Sequence, residues 1–154
     1  MNMKKFPGWA IALIAIVVGA AAIGGWHYYD VRGDLKYALS SEYGAVNLYT
    51  QLSQRAFGLK DALTLGVNYK EIRADEERHI EILSGYVGTD KEGNTGYPIS
   101  REGAAQSEKD AIAMYKNIIK KVWFDQDLKE GLNNILNDEL EHYEELQKIR
   151  AGVI

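Results

Sequence analysis

Two segments of this chain repeat one arrangement that an ordinary apolar core cannot accept. In "ADEERHIEIL", 74–83, Glu76 precedes His79 by three residues; in "NDELEHYEEL", 137–146, Glu139 precedes His142 by three. Both pairs sit at the centre of a stripe with helical spacing. One stripe is Tyr69, Ile72, Glu76, His79 and Leu83, and the other is Leu132, Ile135, Glu139, His142, Leu146 and Ile149. Two further stripes repeat each other: Glu42, Val46 and Tyr49 in one, Glu108, Ile112 and Tyr115 in the other. Glu42 to Glu108 is 66 residues and Glu76 to Glu139 is 63. This regularity marks a duplicated helical hairpin.

Chance explains one such pair but not the whole set. With 13 Glu in 154 residues, a histidine has Glu three positions before it roughly one time in twelve. A solvated acidic face accounts for Glu77, Glu81, Glu141, Glu144 and Glu145. It does not place Glu42, Glu76, Glu108 and Glu139 on apolar stripes. Four carboxylates turned into one core are costly to bury as anions, and like charges at close range cannot all stay ionised. Cations remove both difficulties. Glu and His at i and i+3 lie about 4.5 Å apart along a helix and about 60° apart around it, so both reach one metal ion. One Glu from each of two helices and Glu-x-x-His from each of the other two form the ligand set of di-iron and di-manganese carboxylate bundles. Cofactors of two iron ions, or manganese in their place, are therefore expected at Glu42, Glu76, His79, Glu108, Glu139 and His142. Asp75 and Asp138, each beside a ligand Glu, are expected to orient the imidazoles. Tyr49 and Tyr115, two turns from a ligand, are candidate participants in redox chemistry; a core tyrosine with a satisfied hydroxyl is the alternative.

The rest of the chain sets the architecture. No Asp, Glu, Lys or Arg lies between Lys5 and Asp30. The run Trp9 to Trp26 would span about 27 Å as a helix, against about 30 Å of hydrocarbon. Trp9 at one end and Trp26, Tyr28 and Tyr29 at the other resemble interfacial aromatic belts, and His27 falls in that belt. Residues 1–30 are thus expected to be a transmembrane anchor that meets the lipid bilayer through 9–26, with a cleaved signal peptide as the competing reading. Lys4, Lys5 and the amino terminus outweigh Arg32 and Lys36, which favours a single-pass protein with its N-terminus in the cytoplasm and the bundle outside.

Residues 31–154 are expected to fold as an all-α four-helix bundle. Its helices run from about Asp34 to Ala56, Leu59 to Val87, Ser100 to Phe124 and Asp127 to Ile149, with Ser100 as an N-cap. "GTDKEGNTGYPIS" is the connection between the second and third. The balance of 18 Lys and Arg against 22 Asp and Glu argues against a nucleic-acid partner. The absence of Cys excludes iron–sulfur clusters and four-cysteine metal modules.

Roughly from Asp34 to Ile149, the chain resembles the ferritin-like superfamily. "SEYGAVNLY", "ADEERHIEIL", "SEKDAIAMY" and "NDELEHYEEL" are similar to the four ligand-bearing segments of the bacterioferritin and rubrerythrin families. The resemblance implies that Glu42 and Glu139 bind terminally, that Glu76 and Glu108 bridge the metals, and that His79 and His142 each take one. It also implies a long crossover between the second and third helices.

Departures from those families matter for function. Rubrerythrins carry a cysteine-ligated iron domain and an extra carboxylate on the third helix, where this chain has Ala104, Ala105, Ala111 and Ile112, so an external electron donor is needed. Bacterioferritins bind haem through a methionine, but Met1, Met3 and Met114 do not stand where that ligand is expected. A membrane helix on every subunit would also obstruct a closed storage cage. The leading expectation is a membrane-anchored di-iron oxidoreductase of ferroxidase or peroxidase type that reacts with O2 or peroxide. The alternatives are a membrane quinol hydroxylase or oxidase, and a non-enzymatic accessory subunit of a larger membrane complex. A homodimer is also open.

Overall fold

In the computed structural model, the described residues are 8–56, 62–89, 93 and 96–150 for the backbone, with side chains described over 24–56, 65–89, 93 and 96–149. Four helices account for nearly all of them: α1 Gly8–Ala56, α2 Ala62–Val87, α3 Arg101–Lys121 and α4 Gln126–Arg150. No strand occurs among the described residues. No helix among them is long and apolar enough to cross a membrane. The apolar run from which an anchor is expected lies largely outside the described side chains.

Helix α1 differs from expectation at its start. The expected start of the first bundle helix near Asp34 is not a helix end: α1 passes through it without interruption from Gly8. Two sets of contacts hold this segment in the helix. Val31 and Leu35 are buried in the core, and Lys121 Nζ, at the end of α3, reaches Asp30 at 2.9 Å and Asp34 at 2.8 Å. His27 Nε2 donates to the Lys121 carbonyl at 2.6 Å, which satisfies one of the free carbonyls at the C-terminus of α3.

Polar contacts at the ends of the bundle give its topology. Arg32 near the base of α1 meets the Val87 carbonyl that ends α2, so α1 and α2 are antiparallel. Arg55, at the top of α1, donates to the Ile99 carbonyl just before α3, and α3 then descends to Lys121 beside Asp30 and Asp34. The connection after Gly88 must therefore climb the length of the bundle. Gly88, with φ at 82°, ends α2 in the left-handed region, and its N–H bonds the Ser84 carbonyl at 2.9 Å. Ser100 caps α3, its Oγ accepting from Gly103 N at 3.1 Å. Asp125 does the same for α4 through Leu128 N at 2.9 Å.

The core forms two apolar layers. The lower contains Val31, Leu35, Leu39, Leu83, Ile118, Leu132 and Ile135. The upper contains Leu48, Leu52, Tyr69, Ile72, Leu146 and Ile149. Between them lie the buried charged groups. On α1 and α3 the core-facing residues one turn after the ligand glutamates are Ala45 and Ala111, which are buried, whereas Val46 and Ile112 are only partly so. The larger side chains flank the stripe. Small residues, Ala45 on α1 and Ala104, Ser107 and Ala111 on α3, are buried instead.

The crossover presses on α1 at Gly93, where an added Cβ would stand 2.3 Å from the Tyr43 Cβ and 2.5 Å from the Ser40 carbonyl oxygen. Gly93→Ala should therefore lower unfolding stability by about 1–3 kcal/mol through overpacking. Gly96→Ala, whose added carbon meets nothing within 4 Å, should change it by less than about 0.5 kcal/mol. Denaturant titration of the two variants checks this, and equal effects would show that the crossover does not pack as described.

Candidate metal centre

Six ionisable side chains converge between the two layers: Glu42 from α1, Glu76 and His79 from α2, Glu108 from α3, Glu139 and His142 from α4. None is more than 4% exposed. They fall into two groups, each able to hold a metal ion: Glu42, Glu76, His79 and Glu139 in one, Glu76, Glu108, Glu139 and His142 in the other. Within each group, the ligand atoms lie within 4.8 Å of one another.

Distances show why these atoms suit a cation better than one another. His79 Nδ1 stands 3.3 Å from Glu139 Oε1, 3.4 Å from Glu76 Oε2 and 3.5 Å from Glu42 Oε2. His142 Nδ1 stands 3.4 Å from Glu76 Oε1 and 3.6 Å from Glu108 Oε2. These are long for hydrogen bonds. Two ligands each about 2.1 Å from one ion, at ordinary coordination angles, would be roughly 3.4 Å apart. Both Glu76 oxygens, Glu108 Oε2, Glu139 Oε1 and both Nδ1 atoms are buried without a hydrogen-bond partner. Orphaned buried polar atoms are costly, and six of them facing one centre fit a bound cation.

The carboxylates divide into two kinds. Glu76 sends one oxygen toward each histidine, and Glu139 belongs to both groups. Glu42 turns Oε2 to His79 while its Oε1 accepts from the Tyr115 hydroxyl. Glu108 turns Oε2 to His142 while its Oε1 accepts from the Tyr49 hydroxyl. Glu76 and Glu139 are thus common to both groups, whereas Glu42 and Glu108 each belong to one. The division follows the duplication, since Glu76 and Glu139 occupy equivalent positions of the two hairpins, as do Glu42 and Glu108.

The outer contacts are reciprocal too. Asp138 on α4 accepts from His79 Nε2 on α2 at 3.1 Å, and Asp75 on α2 accepts from His142 Nε2 on α4 at 3.2 Å. A carboxylate can only accept here, so Nε2 carries the hydrogen and Nδ1 is left facing the centre. Each aspartate therefore serves the histidine of the opposite helix, not its own neighbour. Tyr49 and Tyr115 also cross over, each from its own helix to the glutamate of the other.

Arg78, and Tyr69 from the α2 stripe, neither assigned a role from the sequence, complete the surroundings. Arg78 contacts Asp75 at 2.8 Å and Asp138 at 2.9 Å, tying together the two carboxylates that orient the imidazoles. Its spacing of three from Asp75 was readable, but its reach to Asp138 was not. Tyr69 is buried with its ring centroid 6.1 Å from that of Tyr49, extending the aromatic contacts above the centre. A cavity of about 350 Å³ opens beside α1 and α3, lined by Tyr37, Ser40, Ser41, Gly44, Ala45, Gly96, Tyr97 and Ser107. Ser41 and Ser107 directly precede Glu42 and Glu108.

Protons compensate the charges when no metal is bound. Burial raises the Glu76 carboxyl, and the Glu42 charge raises it further, to about 8. Burial lifts Glu139 well above the usual carboxylate range, with Glu76, Glu108 and Glu42 adding to it. Glu42 would also be raised by burial, but the close approach of Glu76 and His79, the His79 charge and the Tyr115 hydroxyl outweigh that and lower it. Burial disfavours both imidazolium ions. Even so, Glu139, Glu42 and Glu76 raise His79 strongly, and Glu108 and Glu76 bring His142 to about 11. Burial, followed by the nearby carboxylate charges, holds both tyrosines neutral, well above their ordinary range.

Comparison of the chain with protein-family models, with curated proteins and with solved structures finds no match. Fold and site together define an all-α four-helix protein with a buried carboxylate–histidine cluster able to bind metal.

Two predictions follow from this chemistry. Folded Glu76 keeps its proton to about pH 8, while unfolded Glu76 loses it near 4.5. His142 keeps its proton to about 11, against 6.5 when unfolded. Over both windows the folded chain binds more protons, so metal-free stability falls as pH rises from 5 toward 9. Glu42 and Asp138, both lowered, lose their contribution only at more acid pH. Added metal must displace these protons, so the melting-temperature increase it causes should grow over the same range. Thermal melts with and without Mn2+ check both trends; metal-free stability that rises with pH would contradict the assignment. Separately, Arg78→Met should weaken metal affinity about 10- to 100-fold with helix content kept, as measured by metal titration and circular dichroism.

Proposed function

We propose that the chain is a ferritin-like, membrane-anchored di-iron oxidoreductase that uses peroxide or O2 as oxidant, in the manner of a peroxidase or ferroxidase. The observation that carries this reading is the pair of four-residue groups sharing Glu76 and Glu139, with six unpartnered ligand atoms at their centre. Four carboxylates and two imidazoles supply charge and donor types suited to two divalent ions, and the hard oxygen-rich set favours iron or manganese over softer metals. When bound, two ferrous ions supply the two electrons that reduce one peroxide, with two protons, to two waters.

The chain's own residues have defined tasks in this reading. Asp75 and Asp138, held by Arg78, aim the histidine Nδ1 atoms inward. Tyr49 and Tyr115 donate to Glu108 and Glu42, fixing the outer carboxylates and keeping a hydroxyl proton beside each. The apolar layers above and below exclude bulk water. In this reading a small polar oxidant approaches from the cavity lined by Ser41 and Ser107, the neighbours of Glu42 and Glu108. With no Cys in the chain, the electrons come from an external donor.

The uncharged run between Lys5 and Asp30 supports the membrane anchor, and the excess of positive charge before it supports a cytoplasmic N-terminus and an extracytoplasmic bundle. Oxidation of a membrane quinol is the second reading. It is favoured by the continuity of α1 from the apolar run to Glu42, which tethers the centre within reach of lipid-soluble substrates.

The test is iron reconstitution of the detergent-purified chain, followed by anaerobic reduction and mixing with peroxide or O2. Two irons per chain should bind and be oxidised rapidly without lipid. Glu108→Ala should lose at least one iron with helix content largely kept. Tyr49→Phe should change the oxidation rate more than the metal content. Wild-type protein that binds no stoichiometric iron ends the di-iron reading; loaded protein that stays ferrous in excess peroxide, as Glu76→Ala does, ends the oxidant-activating one. Turnover only with added quinol would select the second reading.

A further inference from the structure

The lower end of the bundle exposes aromatic side chains from two elements far apart in sequence. Trp26 is 83% exposed and Tyr29 74% on α1, with Tyr28 about half exposed between them; Trp123, in the turn from α3 to α4, is 74% exposed, and Phe124 beside it is also exposed. The two elements meet through His27 and Tyr28, and Trp26 and Tyr29 continue the aromatic belt around α1 at the same level. His27 stacks on Trp123 with ring centroids 5.9 Å apart. Phe124 meets His27 at 5.9 Å and Tyr28 at 6.2 Å, both edge-on.

This end is also braced. The His27 bond to the Lys121 carbonyl and the Lys121 contacts with Asp30 and Asp34 fasten the end of α3 to α1 within two turns of Trp26. Trp123 follows Lys121 by two residues. The turn is therefore fixed at the level where the apolar run of α1 ends.

We propose that the α3–α4 turn is a second membrane-contacting element, with Trp123 and Phe124 entering the headgroup layer alongside Trp26, Tyr28 and Tyr29. The inference rests on reading the apolar run as a membrane helix. Its occupant is the bilayer interface and not a protein partner because the patch begins where that run stops, and a continuous helix carries the patch to the point where hydrocarbon gives way to headgroups. The composition fits as well: Trp and Tyr combine an apolar ring with a polar tip, which suits that layer. The bundle then stands on the bilayer through two contacts, with its centre held in one orientation, instead of turning freely on a single tether.

The experiment uses full-length protein in phosphatidylcholine–phosphatidylglycerol vesicles, with Trp9→Phe and Trp26→Phe leaving Trp123 as the single tryptophan. Its emission should shift to the blue, resist iodide, and be quenched more by lipids brominated near the headgroup than by those brominated deep in the chains. If the double variant does not insert, Trp123→Phe in the otherwise native chain should remove a shallow-quenched component from the total emission. Protein that resists carbonate extraction while Trp123 stays open to iodide and unquenched by bromolipid overturns the inference and leaves the anchor standing. Release by carbonate overturns both. Shielding of Trp123 that appears without bromolipid quenching and depends on protein concentration identifies a second copy as the occupant and also overturns it.

Discussion

Burying four carboxylates between two apolar layers is the constraint on which the rest of this structure depends. Glu42, Glu76, Glu108 and Glu139 have almost no contact with solvent, and unpaired anions in such a place would cost several kcal/mol each. Helix α2 brings His79 and α4 brings His142 into the same space. In the metal-free chain, protons on the imidazoles and on Glu76 and Glu139 supply the missing positive charge. The same groups would surrender those protons to metal. The apolar layers on either side give the cluster rigid walls, and the aspartates and tyrosines fix which atom of each ligand faces inward.

The duplication makes these contacts reciprocal. Tyr49 serves Glu108 and Tyr115 serves Glu42; Asp75 serves His142 and Asp138 serves His79. Each half of the molecule supplies the support for the other, so neither hairpin can form a finished half-site alone. The symmetry is broken just outside. Arg78 corresponds to Glu141, which is exposed, and Tyr69 corresponds to Leu132. The two ends of the cluster therefore meet different surroundings, with one guanidinium spanning both aspartates and one extra tyrosine lying above the Tyr49 side.

Helix α1 links this centre to the other end of the molecule. One uninterrupted helix joins the apolar run to Glu42, and the contacts of Lys121 and His27 lock α3 against it. A change in orientation at the aromatic end cannot be absorbed by a loop between there and the ligands.

The residue pattern by itself determined the helical class, the duplication and the six converging ligand residues, because a period of 3.6 residues assigns faces without knowledge of neighbours, and it marked Ser100 as the cap of α3. Other features were settled only by packing. That Asp30 and Asp34 on α1 find a common partner in Lys121, some ninety residues away, is one of them. That Ala45 and Ala111 are buried while Val46 and Ile112 are only partly so depends on how α1 and α3 are turned in the assembled bundle. Which aspartate orients which histidine, and that Arg78 holds both, depends on the distance between α2 and α4, which helical periodicity cannot encode. The period fixes where a side chain points around its own axis; only the assembled bundle decides what stands opposite.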